Sequence, residues 1–150
     1  MNEFKPFDDK LAGLIGALSP ESRRKLAAEI AKELRKSQQQ RIKQQKTPDG
    51  TPYQARKRQP LRAKQGRIKR TMFQKLRTSR YMKASGRNDA AVVEFTGKVQ
   101  RIAQIHQLGL KDRPNPCSQY VVYPERQLLG FSQENKKLIT ELVICHYEID

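Results

Sequence analysis

Between Arg23 and Arg87 the chain carries 22 Lys and Arg against three acids (Glu29, Glu33 and Asp49), a local charge of +19. A span this basic cannot all pack into one neutral core, so part of it projects, meets a polyanion or an acidic protein, or orders only against a partner. The rest of the sequence behaves differently. Residues 1–22 are mildly acidic, and residues 90–150 hold seven bases and seven acids. The whole chain of 150 residues has a formal charge of +16. This length fits one ordinary domain with a modest core.

Two cysteines, Cys117 and Cys145, supply neither a disulfide framework nor a Cys-built zinc site, which points to a reducing cytoplasm. The apolar runs fall far short of the ~20 residues that span a bilayer, and MNEFKPFDDK lacks the basic and apolar regions of a signal peptide. No membrane association is expected.

Apolar periodicity organises the N-terminal part. Leu11, Leu14, Ile15 and Leu18 form one face of a short helix behind Asp8 and Asp9. Ser19-Pro20-Glu21 then reads as a fresh start, with Ser as cap, Pro at the first helical position and an acid at the positive end of the dipole. Leu26, Ala27, Ile30, Ala31 and Leu34 share one face of a second helix. Beyond them KSQQQRIKQQK offers only Ile42 but keeps good helix formers. The expectation is one long helix from residue 20 to about 45, packed in its first half and projecting as a basic end in its second.

Thr47-Pro48-Asp49-Gly50-Thr51-Pro52 is a turn, because Pro presets φ and Asp-Gly tolerates a tight bend. Residues 53–70 have too few apolar groups to fold alone and read as the outer part of a basic loop or arm over 46–70. Met72, Phe73 and Leu76 suggest a short helix. Arg80–Ser85 and Ala90–Thr96 flank a Gly-Arg-Asn-Asp turn as a β-hairpin. Lys98–Leu108 is a helix closed by Gly109. Residues 112–118 read as loop and Gln119–Tyr123 as a strand ended by Pro124. Ser132 caps a last helix that turns Leu138, Ile139, Leu142, Val143, Cys145, His146 and Ile149 inward. The order implies an α+β class in a single domain: two N-terminal helices (the second long), a small antiparallel β-sheet, a C-terminal helix and a basic extended arm, with 71–150 as the core.

Catalytic chemistry finds no support in these residues. His106 and His146 both fall on apolar helical stripes and read as packing residues. Asp8-Asp9 reads as an acidic first turn, not a carboxylate pair. No phosphate loop, HExxH or nucleophile elbow is present, and no cofactor or metal is expected. The basic block offers two readings. One is sequence-nonspecific nucleic-acid binding, favoured by Lys and Arg density beside Tyr53 and Phe73; an RNA-chaperone or ribosome-associated role is a weaker variant. Against specific readout, zinc-finger, RNP and basic-zipper patterns are missing. The other reading is a solvated basic face on a globular domain.

Five stretches carry a resemblance that runs nearly end to end. They are EFKPFDDKLAGLIGALSPESRRKLAAEIAKELRKSQQQRI at 3–42, KTPDGTPY at 46–53, KRTMFQKLRTSRYM at 69–82, IAQIHQLGL at 102–110 and YPERQLLGFSQEN at 123–135. In this order and spacing the chain resembles the phage virion morphogenesis family, in its tail-completion branch from contractile-tailed temperate phages. One departure is Gln127, which stands where the family typically has Pro. The resemblance implies a non-enzymatic structural protein that forms a ring, in all expectation a hexamer, at the head-proximal end of the tail and makes the tail competent to join a DNA-filled head. It implies contacts with itself and with neck or tail proteins such as the terminator, the tube or the head connector, near the traversing phage DNA. It also implies a virion location after assembly in the bacterial cytoplasm. On this reading Arg41, Lys43, Lys46, Arg56, Lys57, Arg58, Arg62, Lys64, Arg67, Lys69 and Arg70 reach a neighbouring subunit, another protein or DNA. Pro48, Asp49, Gly50, His106, Gly109, Pro124, Arg126, Leu129 and Gly130 are the structural motif residues.

Overall fold

Ser19 opens the long helix as its sequence requires: the Ser19 hydroxyl accepts the Ser22 N–H at 3.2 Å, and Glu21 lies in the first turn. In the computed structural model, which describes residues 12–56, 71–87 and 90–149, this helix is α1, Pro20–Lys43. A helical stretch at residues 12–16 precedes it. There follow β1 (Met82–Gly86), β2 (Ala91–Phe95), α2 (Gly97–Leu108), β3 (Lys111–Asp112), β4 (Val121–Val122) and α3 (Gln133–Ile149). The strands form two separate pairs, β1 with β2 and β3 antiparallel to β4. The class is α+β. Among the described residues no helix is long and apolar enough to cross a membrane.

The described residues group into two compact units, each assembled from non-contiguous segments, and neither follows the borders at residues 45 and 70 drawn from composition. The first unit takes residues 12–37, Lys83–Glu94 and 131–149. Its core is Leu26, Ile30 and Leu34 of α1 against Val143 of α3, with Leu14, Ile15, Leu18, Ala91, Val93, Ile139 and Leu142 packed around it. Three of the four residues expected on the first short helix face are thus in place; Leu11 lies outside the described residues. Ser132 and Asn135 cap α3 reciprocally: Asn135 N–H donates to the Ser132 hydroxyl at 3.1 Å, and Ser132 N–H donates to Asn135 Oδ1 at 3.0 Å. Asn135 is buried, and its Nδ2 also donates to Ser37 Oγ at 2.5 Å. One expectation for α3 changes. Cys145 is exposed, as is Ile144 beside it, because Val143 and His146 share a face three residues apart whereas Cys145, two residues after Val143, lies on the far side of the helix. The Ile149 side chain lies outside the described residues.

The second unit takes residues 38–56, 71–82 and 95–130. It contains the C-terminal end of α1, and this end is packed on one face where a projecting end was expected. Gln38 and Ile42 are buried, while Lys43 is exposed. α1 ends in a Schellman motif, with Gln45 N–H on the Ile42 carbonyl at 2.9 Å and Lys46 N–H on the Arg41 carbonyl at 3.3 Å. The left-handed residue there is Gln45 (φ 58) instead of the usual glycine. A left-handed non-glycine residue costs about 1–2 kcal/mol. The Gln45 amide offsets that strain: Nε2 donates to the Ile42 and Met72 carbonyls at 2.7 and 2.8 Å, and Oε1 accepts the Met72 N–H at 2.8 Å. Residues 74–77 form a turn in place of the short helix expected around Met72. α2 closes at Gly109 (φ 65), as read from the sequence, with Leu110 N–H on the Ile105 carbonyl at 2.9 Å. β3 was not foreseen, and the strand expected at 119–123 is confined to Val121–Val122.

Candidate functional site

The motif residues singled out in the sequence all fall in the second unit, and they come from three of the five stretches. The first is the Pro-Asp-Gly turn. Gly50 N–H donates to the Thr47 carbonyl and Thr47 N–H to the Thr51 carbonyl, both at 2.9 Å. The Asp49 carboxylate accepts the Thr47 hydroxyl and, at 2.9 Å, the Thr51 N–H. Those donors, Thr47 first, hold its pKa down to about 2. Lys46 and Pro52 form a bridge at the base of the turn.

The turn delivers Tyr53 into the core of the unit. Its hydroxyl donates to the Gln127 carbonyl at 2.7 Å, and burial pushes its pKa up to about 12. A row of rings starts there: Tyr53 on Phe73 at 5.7 Å between centroids, Phe73 on His106 at 4.9 Å and His106 on Tyr123 at 5.2 Å, all edge-to-face. Each such pair contributes about 0.5–1.5 kcal/mol beyond its area.

Segment 123–130 belongs to no helix or strand and would leave a row of bare backbone groups. Besides Tyr53, three side chains satisfy them. Gln107 Oε1 accepts the Leu128 and Leu129 N–H groups at 2.8 and 2.9 Å while Nε2 donates to the Leu129 carbonyl at 2.8 Å. Arg41 Nη2 donates to the Leu128 carbonyl at 2.6 Å and Nη1 to that of Gly130 at 3.5 Å. Gln38 Oε1 accepts the Gly130 N–H at 3.3 Å. Arg126, only 4% exposed, points the other way: Nε donates to the Gln54 carbonyl at 2.7 Å and Nη2 to the Ala55 carbonyl at 3.3 Å. Its own N–H donates to the His106 carbonyl at 2.7 Å. Burial lowers the pKa of both Arg41 and Arg126 from their usual values. Both guanidiniums are matched by carbonyl dipoles.

Two close approaches complete the arrangement. A Cβ on Gly109 would lie 3.0 Å from the Glu125 nitrogen, and one on Gly130 would lie 2.5 Å from Cγ of Pro48. Gly130 therefore lets the 123–130 segment lie directly on the Pro-Asp-Gly turn. Pro124 and Leu129 are half-buried in the same segment. Gln127, where a proline was expected, donates its side-chain amide to the Glu125 carboxylate at 3.1 Å.

His106 has two positive neighbours. Burial first, then the charges of Arg126 and Arg56, hold its pKa down to about 4 from the usual 6.5. The unfolded chain therefore binds the extra proton between these values, so the stabilisation is fully present above pH 6.5 and is lost as pH falls toward 4. Because the ring is only half-buried, solvent screening reduces the effect to about 1–2 kcal/mol. Urea unfolding followed from pH 7 to 4 is expected to show this decline. His106→Phe is expected to flatten it, leaving the separate loss from Asp49 at lower pH.

The predicted contact residues divide. Arg41 is engaged inside the unit, whereas Lys43, Lys46 and Arg56 are exposed. Lys57, Arg58, Arg62, Lys64, Arg67, Lys69 and Arg70 lie outside the described residues. Gln38, Gln45 and Gln107 were not singled out from the sequence, since a glutamine at a helix end carries no local mark of a distant carbonyl. Among the described residues no group of three His, Cys, Asp or Glu is placed to hold a metal ion. The arrangement clamps the 123–130 backbone onto a turn and two helix ends. Chemically it offers a rigid, cationic scaffold.

The chain matches the phage virion morphogenesis family over residues 2–148. It is 49% identical, over 99% of both chains, to tail completion protein S of Escherichia phage P2. No solved structure matches it.

Proposed function

The chain belongs to the phage virion morphogenesis family, and from that premise we propose that it is a structural assembly protein that completes the phage tail. The observation that carries this reading is the end-to-end likeness to the tail completion protein of phage P2. The internal use of the motif residues Arg126 and Gly130, joined by Arg41 and Gln107, supports it, because these side chains and this close approach build a scaffold. In the finer form of the proposal, the protein forms a ring at the head-proximal end of a contractile tail and makes the tail competent to join the head. A ring follows when a heterologous interface repeats around a closed axis. The exposed Lys43, Lys46 and Arg56, together with the basic sequence from Lys57 to Arg70, supply cationic contacts to neighbouring subunits or neck proteins.

Purified protein mixed with tails assembled in its absence is expected to restore joining to filled heads, scored as infectious particles. No gain over buffer contradicts the proposal. The +19 span favours a second reading, direct binding to DNA. A binder that neutralises several phosphates loses affinity steeply with salt, by about a thousandfold between 50 and 200 mM for six contacts. Absence of binding at low salt removes that reading.

A further inference from the structure

The β3–β4 ribbon has two unlike faces. Its register pairs Lys111 with Val122 and Asp112 with Val121. Because side chains alternate, Asp112 and Val121 share one face with Leu110 and Tyr123. That inner face is accounted for: Asp112 pairs with Arg101 at 3.1 Å, and the Tyr123 ring lies against His106. Lys111 and Val122 share the outer face with Arg113 and Tyr120, two residues further along each strand.

All four outer residues are exposed, Val122 at 67% and Tyr120 at 57%. Two of them, Arg113 and Tyr120, hold each other in place. The Arg113 guanidinium carbon lies 4.6 Å from the Tyr120 ring centroid, and Nη2 donates to the Tyr120 hydroxyl at 3.1 Å. At the ribbon tip Asn115 Oδ1 accepts the Cys117 N–H at 3.0 Å, and its carbonyl accepts the Ser118 N–H at 3.1 Å. An exposed face with an apolar centre and two flanking cations, its Arg113–Tyr120 pair already fixed, is a surface arranged for a partner, with less side-chain entropy to lose at that pair on binding.

Charge and hydropathy together select the occupant. A DNA backbone satisfies Lys111 and Arg113 but gives Val122 nothing to bury against, and the Arg113 guanidinium already lies against the Tyr120 ring, where a base would stack. A second copy brings the same cations on a chain of charge +16, so like charges would face each other. A different protein with an apolar patch rimmed by Asp or Glu satisfies both terms. We propose that the outer face of this ribbon, Lys111, Arg113, Tyr120 and Val122, docks an acid-rimmed apolar surface of another protein of the tail. The proposal rests on the assembly reading above and names the surface that serves it.

The test uses the full chain and purified tails assembled without it, with co-sedimentation as the readout. Wild-type protein is expected to co-sediment with tails, less so as salt rises. V122E is expected to weaken this at least tenfold, and so is the double reversal K111E/R113E. Both variants are expected to keep the wild-type circular dichroism spectrum and unfolding midpoint, since the altered side chains are exposed. Tyr120→Ser is a third probe should either variant misfold. Wild-type co-sedimentation that all correctly folded variants match overturns the ribbon proposal and leaves the assembly reading standing. Failure of the wild-type protein to bind tails overturns the assembly reading and the ribbon proposal with it. A parallel titration with a 30-base-pair duplex separates the nucleic-acid alternative. Loss of duplex binding by V122E with tail binding intact makes the ribbon a DNA face and overturns the proposal.

Discussion

Replacing Gly86 with valine is expected to destabilise the protein by about 3 kcal/mol or more. A Cβ at this position would lie 2.3 Å from the Ala28 nitrogen, 2.6 Å from the Ala28 Cα and 2.9 Å from the Ala27 carbonyl carbon. Those atoms are helix backbone in α1, which cannot step aside as a flexible side chain does, so β1 must lift away from the helix. Lifting it, with its partner β2, exposes the packing of Ala91 and Val93 on the cluster of Leu26, Ile30, Leu34 and Val143. Thermal unfolding followed by circular dichroism checks this. Gly13→Ala is the control, because nothing lies within 4 Å of a Cβ there. Alanine favours the helix over glycine by up to about 1 kcal/mol, so the control is expected to be neutral or slightly stabilised.

The second large effect is expected at Arg126. Arg126→Met keeps apolar volume but removes the donors to the Gln54 and Ala55 carbonyls. Charge-assisted bonds contribute about 1.5–3 kcal/mol each, and losing the buried cation recovers part of that through relieved desolvation. A net loss of about 2–3 kcal/mol follows from those terms. Hydrogen exchange is expected to rise first at residues 53–56 and 123–130. A further readout separates this from a general loosening. The Arg126 charge is one of the causes that depress the His106 pKa. In the folded variant that pKa is expected to rise from about 4 toward 6.5, measured by NMR titration of the imidazole. An unchanged His106 titration would mean that the two groups are not coupled as described.

The parts of the fold that rest on neighbouring residues were legible in the sequence. Ser19-Pro20-Glu21, Gly109 and Ser132 mark helix ends through chemistry acting within four residues, and each lies where the pattern put it. The alternation around Gly86–Asp89 likewise yielded β1 and β2. What depends on distant partners was hidden. The end of α1 looked like a solvated basic segment because its sequence is Gln, Lys and Arg. Its Gln38 and Arg41 instead serve backbone groups at Leu128 and Gly130, about ninety residues away. Arg126 was singled out through the family resemblance alone, and neither its burial nor its partners at Gln54 and Ala55 carry a local signature. β3 escaped notice because a two-residue strand has no period to detect. Cys145 was misjudged because an apolar stripe extended to every neighbouring apolar residue is wider than the face a helix can bury. The basic residues from Lys57 to Arg70 were legible as charge, and charge alone names no partner.

The central claim is that this protein completes the tail, with its motif residues serving as scaffold. Electron microscopy of lysates from a phage deleted for this chain tests it most directly. The account predicts filled heads and separate tails in place of joined particles, with joined particles restored by supplying the wild-type chain in trans. A normal yield of joined, infectious particles without the chain would contradict it.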